Sequence, residues 1–204
     1  MPDPTAVDQP RIGVLGGSFD PVHIGHLAVA VTARWALQLD RVLLVVANDP
    51  WQKTGARPIT PAEDRLAVVA AATEGLTGVE ASGVEIDRGG PSYTVDTLSA
   101  LRQRWPGSAL FLIVGTDVAA GLDTWHRAGE LPELATLVVA ERAGSPPAPD
   151  PGGDWRVVHL AVPGLDVSSS DLRRRLAAGE PVDVLVPAAA IRCMTERGLY
   201  AVGR

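Results

Sequence analysis

The sequence predicts an α/β fold with a doubly wound parallel sheet, built as a single domain with a small helical part near its C-terminal end. Strand-like and helix-like segments alternate along the 204 residues. The strand-like segments are apolar throughout, which is typical of parallel strands covered by helices on both faces. Hydrophobic residues make up 46% of the chain, enough for one sizeable core.

Several segments have the composition of buried strands, and others have the spacing of helices. The predicted strands span 11–16, 41–47, 79–87, 109–115, 135–142 and 155–162. Of these, 79–87 is the weakest, and 155–162 is expected at an edge of the sheet. The predicted helices span 25–39, 60–75, 92–107, 168–179 and 187–198. Right-handed crossovers through these helices place ligands beyond the carboxyl ends of the strands.

Two of the predicted helices carry further signals. In 25–39, apolar residues recur at every fourth position and indicate one apolar stripe, which comprises Leu27, Val31, Trp35 and Leu39. In 60–75, Thr60 is a candidate cap, Pro61 suits the first helical position and Gly75 ends the helix.

Composition and charge exclude several classes of protein. The net charge of -6 argues against nucleic acid and membrane surfaces as partners, although a small anionic ligand needs only a local cluster of donors. The single cysteine, Cys193, excludes an internal disulfide and a thiolate zinc site. We therefore expect Cys193 to be a packing residue and the protein to be cytoplasmic. Residues 1–10 resemble a disordered tail and not a signal peptide. Residues 11–204 form the predicted domain, and within it 143–154 are predicted to form a mobile surface loop. No apolar run is long enough to span a bilayer.

The stretch 16–26, Gly-Gly-Ser-Phe-Asp-Pro-Val-His-Ile-Gly-His, joins the first strand to the first helix. Its paired glycines let backbone amides approach a ligand, and the amides of a helix N-terminus favour anions. His23 and His26 can face the same side of the first turn, so the stretch predicts a phosphate site. Zinc ligation or simple packing are the alternatives, and zinc would need a third and a fourth ligand, for which only His126 and His159 remain. Neither the P-loop pattern nor the G-x-G-x-x-G spacing is present.

The stretch 16–26 resembles, without a gap, the signature loop of the H-x-G-H nucleotidyltransferases. Further segments resemble, in order, motifs of the nicotinate-nucleotide adenylyltransferase family: 48–53, 91–98, 115–117, 124–131, 167–176 and Gly-Leu-Tyr near the end. The resemblance runs from about residue 11 to 200. Trp51 and Gln52 replace a common Pro-His pair, and the changes in the late motif are mild, namely Val167, Ser170 and Leu172.

The resemblance implies a Rossmann-like nucleotidyltransferase fold and adenylyl transfer from ATP to nicotinate mononucleotide, with Mg²⁺ bound to ATP and not to a protein metal site. It implies catalytic roles for His23, His26, Lys53 and Arg173. The implied ATP-binding residues are Gly16, Gly17, Ser18, Phe19, His23, His26, Gly115, Asp117, Ser168, Ser169, Ser170 and Arg173. The implied residues for nicotinate mononucleotide are Ser18, Lys53, Thr94 and Trp125.

Most of these residues also have a structural explanation. The serines at 168–170 open a helix, so one of them is expected to cap it, while Arg173 one turn on favours a second anion site. Lys53, the only lysine, can reach a phosphate from the carboxyl end of the second strand, or it survives an arginine-biased composition by chance. Trp125 stacks on the pyridine ring or packs in the core.

The remaining polar candidates are less specific. Thr94 binds the nicotinate carboxylate, or caps a helix with Thr97 in the box position. Asp117 contacts the ribose or base of the nucleotide, or caps the next helix. Asp20, between Phe19 and a proline, is expected to form a turn and not to act as a base. His126 has no assigned role, and His159 is expected to be an ordinary strand residue.

Other functions compete with the one that the resemblance implies. An adenylyltransferase could use nicotinamide mononucleotide or phosphopantetheine as the acceptor, and phosphopantetheine would not need a stacking Trp125. A nucleotide-binding module without turnover would keep the loop, but need not keep His23, His26, Lys53 and Arg173 together. A nicotinamide-dependent oxidoreductase is disfavoured by the missing glycine spacing. Oligomeric state is not predicted.

Overall fold

The computed structural model describes residues 9–50, 58–142 and 152–201. In this part of the chain, a six-stranded parallel sheet has the order β3-β2-β1-β4-β5-β6. The strands are β1 (Arg11–Gly17), β2 (Arg41–Val46), β3 (Val79–Ser82), β4 (Ala109–Gly115), β5 (Thr136–Arg142) and β6 (Val157–Val162). The order reverses between β1 and β4, which is where open α/β sheets form a ligand crevice. The predicted doubly wound fold and the edge position of the last strand are confirmed.

Helices connect and flank these strands. They are α1 (Ile24–Ala36), α2 (Ala62–Thr73), α3 (Val84–Arg88), α4 (Thr94–Arg104), α5 (Thr116–Ala119), α6 (Leu131–Leu134), α7 (Ser169–Ala177) and α8 (Ala188–Glu196). In the described part of the chain, short 3-10 turns span Leu122–Thr124, Ala128–Glu130 and Leu199–Ala201. None of the helices in the described ranges is long and apolar enough to cross a bilayer.

The core lies on both faces of the sheet, and this explains why the strands are apolar throughout. Along β2, Leu43 and Val45 face one side and pack against α4, whereas Val42, Leu44 and Val46 face α1, α2 and α8 on the other. Successive side chains of a strand point to opposite faces, so a strand that is covered on both sides needs an apolar residue at each position. Cys193 packs against the second of these two cores, as expected.

Three local predictions were wrong. The segment 79–87 is not one strand, because β3 ends at Ser82 and α3 begins at Val84. Thr60 does not cap α2, since Pro61 holds the cap position. Trp35 is 77% exposed, and the buried residues of α1 are Ala30 and Ala33. A spacing of four residues drifts around a helix that has 3.6 residues per turn, so the predicted stripe does not stay on the core side.

Two predictions on flexible segments fall mainly outside the described residues. These are the disordered tail at 1–10, of which 1–8 are not described, and the loop at 143–154, of which 143–151 are not described. Both stay predictions.

Candidate active site

A cavity of about 660 Å³ opens at the carboxyl ends of the strands, across the point where the sheet order reverses. Its volume lies in the range of small-molecule and cofactor sites. Most of the predicted site residues line it: Gly16, Gly17, Ser18, His23, His26, Thr94, Gly115, Asp117, Trp125, Ser168, Ser169, Ser170 and Arg173. The fold therefore brings together, in one cavity, side chains that are spread over more than 150 positions of the sequence.

Two predicted residues are not seen in the cavity lining. Lys53 lies outside the described residues, as do Trp51 and Gln52. Phe19 is only 2% exposed and belongs to the hydrophobic core. Its ring stands edge-on to the ring of His26, with 4.9 Å between the ring centroids. The side chain of Phe19 thus supports a histidine, and only its backbone could contact a nucleotide.

The two histidines form one stacked unit at the start of α1. Their ring centroids are 3.7 Å apart, with 27° between the ring planes. The backbone N–H of His23 donates to Nδ1 of His26 at 3.2 Å. Because Nδ1 accepts this bond, the proton of the neutral His26 ring lies on Nε2. His26 can therefore offer an N–H donor while its other nitrogen holds the ring in place.

His23 is the more enclosed of the two rings and is only 7% exposed. Burial, and to a smaller extent the nearby positive charge of Arg142, lower its pKa to about 4. His23 is therefore neutral at physiological pH. Among the described residues, its Nδ1 atom is buried without a hydrogen-bond partner. A neutral ring next to the glycine turn can donate a hydrogen bond to an anion without the desolvation penalty of a buried cation.

The turn between β1 and α1 is tied to α7 through backbone carbonyl groups. The hydroxyl of Ser169 donates to the carbonyl oxygen of Pro21 at 2.8 Å, and Nη1 of Arg173 donates to that of Asp20 at 2.6 Å. The Asp20 carboxylate is fully buried and accepts a hydrogen bond from the hydroxyl of Tyr200 at 2.6 Å. Asp20 lies in a turn, as predicted, and its carboxylate is already engaged by this tyrosine.

The three serines of α7 each make a contact within the protein. The hydroxyl of Ser168 accepts from the amide of Asp171 at 3.1 Å, which makes it the N-cap. The hydroxyl of Ser170 accepts from Nη2 of Arg173 at 2.9 Å. Because both hydroxyls accept in these contacts, their O–H groups could still donate to an anion. Together with the amides of the first turn and the positive charge of Arg173, they form a combination that favours phosphate.

The other end of the cavity carries aromatic side chains. Trp125 is half-buried there, and the rings of Tyr93 and His126 stack with 4.1 Å between their centroids. Thr94 is the first residue of α4, with Tyr93 at the cap position. Thr97 donates to the buried carboxylate of Glu85 and so does not form a capping box with Thr94. This end suits a flat ring with a polar substituent.

The remaining polar candidates divide between the cavity and the surface. Asp117 is exposed to the cavity from within α5, so it does not occupy the cap position. His159 is an ordinary residue of the edge strand, as predicted, with its Nδ1 2.9 Å from a carboxylate oxygen of Glu141. Within 9–50, 58–142 and 152–201, no three His, Cys, Asp or Glu side chains are placed to hold a metal ion. The zinc alternative for the histidines therefore has no support among these residues.

Sequence reasoning missed two arginines. Arg142 ends β5 and lines the cavity near His23, and its position after an apolar strand was the signal that could have revealed it. Arg65 is 1% exposed and donates to backbone carbonyl groups around the glycine turn. It follows Glu63 and Asp64 in the sequence and therefore resembled a surface residue of α2. Tyr93 and His126 were also left without a role, although the motifs around them had been noted.

A parallel sheet of this order, a glycine turn at its switch point and a cavity with histidines and an arginine at one end and aromatic rings at the other are the features of a nucleotidyltransferase. The model of the cytidylyltransferase-like family matches residues 14–175. The chain belongs to this family.

Individual proteins that the chain resembles are also named as nucleotidyltransferases. The chain is 41% identical to a probable nicotinate-nucleotide adenylyltransferase from Corynebacterium kroppenstedtii, over 96% of this chain and 93% of the relative. It is 45% identical to one from Thermus thermophilus, over 93% and 99%. Its fold resembles that of Plasmodium falciparum nicotinic acid mononucleotide adenylyltransferase complexed with NaAD, with a TM-score of 0.77, 16% identity and coverage of 94% and 98%.

Proposed function

We propose that the protein transfers the adenylyl group of ATP to nicotinate mononucleotide, giving deamido-NAD and pyrophosphate. The observation that carries this proposal is the two-ended cavity, with histidines and α7 at one end and the Trp125 cluster at the other. Relatives at 41% and 45% identity over nearly the whole chain are named for the same activity. One end suits a triphosphate, and the other suits a pyridine ring that carries a carboxylate.

In the proposed reaction, a phosphate oxygen of nicotinate mononucleotide attacks the α-phosphorus of ATP. A new P–O bond forms, the bond from the α-phosphorus to the α,β-bridging oxygen breaks, and its electron pair leaves with pyrophosphate. A phosphate monoester is already a nucleophile near neutral pH, so the reaction needs no serine or cysteine nucleophile and no general base. The protein has to align the two phosphates and stabilise the charge that develops on their oxygens.

The residues that would do this are those nearest the glycine turn. Nε2–H of His26 and the neutral ring of His23 would donate to phosphate oxygens, and the amides after Gly16 and Gly17 would do the same. Arg173 would add a positive charge, held in place by its contacts with Asp20 and Ser170. Lys53 is proposed as a further phosphate ligand, on the basis of its place after β2 in the sequence.

The second substrate would lie at the other end of the cavity. Trp125 would stack on the pyridine ring, and Thr94 and the amides at the start of α4 would bind the nicotinate carboxylate. Ser18 would contact this substrate from the glycine turn. Asp117 and Gly115, at the end of β4, would bind the ribose or base of ATP.

Mg²⁺ would arrive with ATP and neutralise charge on its phosphates. The described residues provide no carboxylate cluster to hold it, so we propose that phosphate oxygens and water supply most of its ligands. Both substrates are small molecules of the cytoplasm, which we propose as the location of the enzyme.

The assay supplies ATP and Mg²⁺ with nicotinate mononucleotide, nicotinamide mononucleotide or phosphopantetheine and measures pyrophosphate release. We expect release with nicotinate mononucleotide, and a lower kcat/KM with the other two acceptors. A higher kcat/KM with either of those would reassign the substrate. No release with any acceptor, together with measurable ATP binding, would favour a nucleotide-binding module.

A further inference from the structure

Arg65 is a buried cation that the proposed chemistry does not use. It lies in the first turn of α2, is 1% exposed, and is one of the largest fully buried side chains of the described residues. Its neighbours on the same helix, Val68, Val69 and Ala72, are core residues. An apolar side chain at this position would avoid the cost of desolvating a charge. The guanidinium is therefore expected to make hydrogen bonds that an apolar side chain could not make.

The guanidinium donates to carbonyl groups from three different segments. Nη1 donates to Ser18 at 2.6 Å, Nη2 to Ala47 at 2.7 Å and Nε to Thr60 at 2.7 Å. A longer contact of 3.5 Å joins Nη2 to the carbonyl oxygen of Asn48. Ser18 belongs to the glycine turn, Ala47 follows β2, and Thr60 precedes α2. One planar side chain thus fastens the turn to the end of β2 and to the start of the next helix.

The bond to Ser18 also fixes the direction of the next amide. In a trans peptide unit, the C=O and N–H groups point in opposite directions. A Ser18 carbonyl held toward Arg65 therefore turns the N–H of Phe19 away from Arg65. Phe19 has a φ of 46°, a left-handed conformation that disfavours a bulky residue and needs support from its surroundings. The strained residue and the fastened carbonyl are adjacent in the turn.

The charge of Arg65 lies close to the same turn. Burial lowers the pKa of Arg65, and the buried carboxylate of Asp20, its largest favourable electrostatic partner, offsets part of this effect. A guanidinium nevertheless stays protonated in proteins. The carbonyl groups of Ser18, Asp20 and Pro21 are thus bonded by Arg65, Arg173 and Ser169, respectively.

We propose that Arg65 is a positioning residue for nucleotide binding, because it holds the carbonyl groups behind the glycine turn and so keeps the amides of the turn directed at the phosphates of ATP. This inference rests on the proposed function, since it assumes that the turn binds a polyphosphate. Arg65 touches no substrate, so it acts only through the backbone that it holds.

The variant Arg65→Lys tests the proposal, because lysine keeps the charge but loses the planar fork that reaches three carbonyl groups. The probe is inorganic tripolyphosphate, titrated by calorimetry, with steady-state kinetics for ATP and nicotinate mononucleotide. We expect the Kd for tripolyphosphate to rise at least fivefold and kcat/KM for ATP to fall at least fivefold. The KM for nicotinate mononucleotide should change less than threefold, since that substrate binds mainly at the other end of the cavity.

Val68→Ala is the matched control. Val68 lies on the same helix and is fully buried in the core, so its truncation lowers thermal stability without touching the turn. The control should keep its affinity for tripolyphosphate within twofold of the unmodified protein. The proposal is overturned if Arg65→Lys loses stability as Val68→Ala does, yet its Kd for tripolyphosphate changes less than fivefold.

Should Arg65→Lys fail to fold, the unmodified protein still decides the question by nitrogen-15 NMR of the arginine side chains. The Nη1 and Nη2 protons of Arg65 should give separate signals, because each nitrogen is bound to a different carbonyl group, and these signals should shift when tripolyphosphate is added. Averaged or unshifted signals would overturn the proposal. Absence of pyrophosphate release by the unmodified protein would refute the proposed function instead, and the tripolyphosphate titration would remain informative.

Discussion

Substitutions of His26 can separate its donation to a phosphate from its contact with the backbone. Nδ1 of His26 accepts a hydrogen bond from the His23 amide at 3.2 Å, while Nε2 is the donor assigned to ATP. The variant His26→Asn keeps an acceptor close to the Nδ1 position and loses the donor at Nε2. The variant His26→Gln places an amide donor near the Nε2 position and loses the acceptor.

The expected magnitudes differ for the two contacts. Loss of one preorganised donor to a charged transition state costs about 2.7–4 kcal/mol, which corresponds to roughly 10²–10³ in kcat. Loss of a cap-type contact at a helix start costs about 1 kcal/mol of stability, or about 2–4 °C in Tm for a chain of this size. We therefore expect His26→Asn to lose about 10²–10³ in kcat with little change in Tm. His26→Gln should keep more activity and lose about 2–4 °C.

Pyrophosphate release and thermal unfolding, measured on both variants, decide between these expectations. The result that refutes the reasoning is a kcat for His26→Asn within threefold of that of the unmodified protein. A large loss of Tm in His26→Asn with a proportionate loss of activity would also refute it, because both properties would then depend on packing of the ring.

Three further predictions follow from the cavity and its supports. Trp125→Ala should raise the KM for nicotinate mononucleotide by roughly 2- to 30-fold, from a stacking energy of about 0.5–2 kcal/mol, and should leave the KM for ATP unchanged. Substitution of the exposed Trp35 by alanine is the control. An equal effect of both substitutions in steady-state assays would contradict the stacking role of Trp125. His23 has a pKa of about 4 in the fold and about 6.5 when unfolded. Between these two pH values the unfolded state binds more protons than the folded state. The contribution of His23 to the free energy of unfolding is therefore complete above pH 6.5 and declines by about 3 kcal/mol as the pH falls to 4. Urea unfolding at several pH values should therefore show a flatter profile for His23→Ala, and an unchanged slope would be inconsistent with a neutral buried ring. Ser168→Ala should lower the free energy of unfolding by about 1 kcal/mol through loss of the N-cap, which denaturant titration measures, and an unchanged stability would mean that the hydroxyl does not cap α7.

The sequence predicted the sheet because the signal for each strand is local. The core residues of β1, β2, β4 and β5 form unbroken apolar runs, and runs of that kind are buried on both faces wherever they occur. The glycine turn was visible for the same reason, since glycine, proline and histidine lie within eleven successive positions. Only the short β3 was misjudged, because Gly83 and the start of α3 follow it after four strand residues.

Side-chain roles that depend on distant contacts could not be predicted in the same way. Trp35 has the spacing of a core residue, but the rotation of α1 on the sheet exposes it. The three serines at 168–170 suggested three hydroxyl ligands; Ser169 donates to the carbonyl oxygen of Pro21, whereas Ser168 and Ser170 accept and could still donate to an anion, so the assignment stays a prediction. A serine can satisfy its hydroxyl locally or across the fold, and the local pattern does not distinguish between these outcomes.

The sequence by itself determined the class of fold, the position of the glycine turn and the order of the motifs along the chain, because hydrophobic periodicity and turn residues act over a few positions. Only the tertiary structure decided what holds that turn. Ser169 reaches Pro21 over 148 positions, Tyr200 reaches Asp20 over 180, and Arg65 reaches Ser18 over 47. Those contacts arise where crossover connections bring separate elements together. Every residue has a backbone carbonyl group, so the local sequence does not indicate which of these groups will accept a hydrogen bond from a distant side chain.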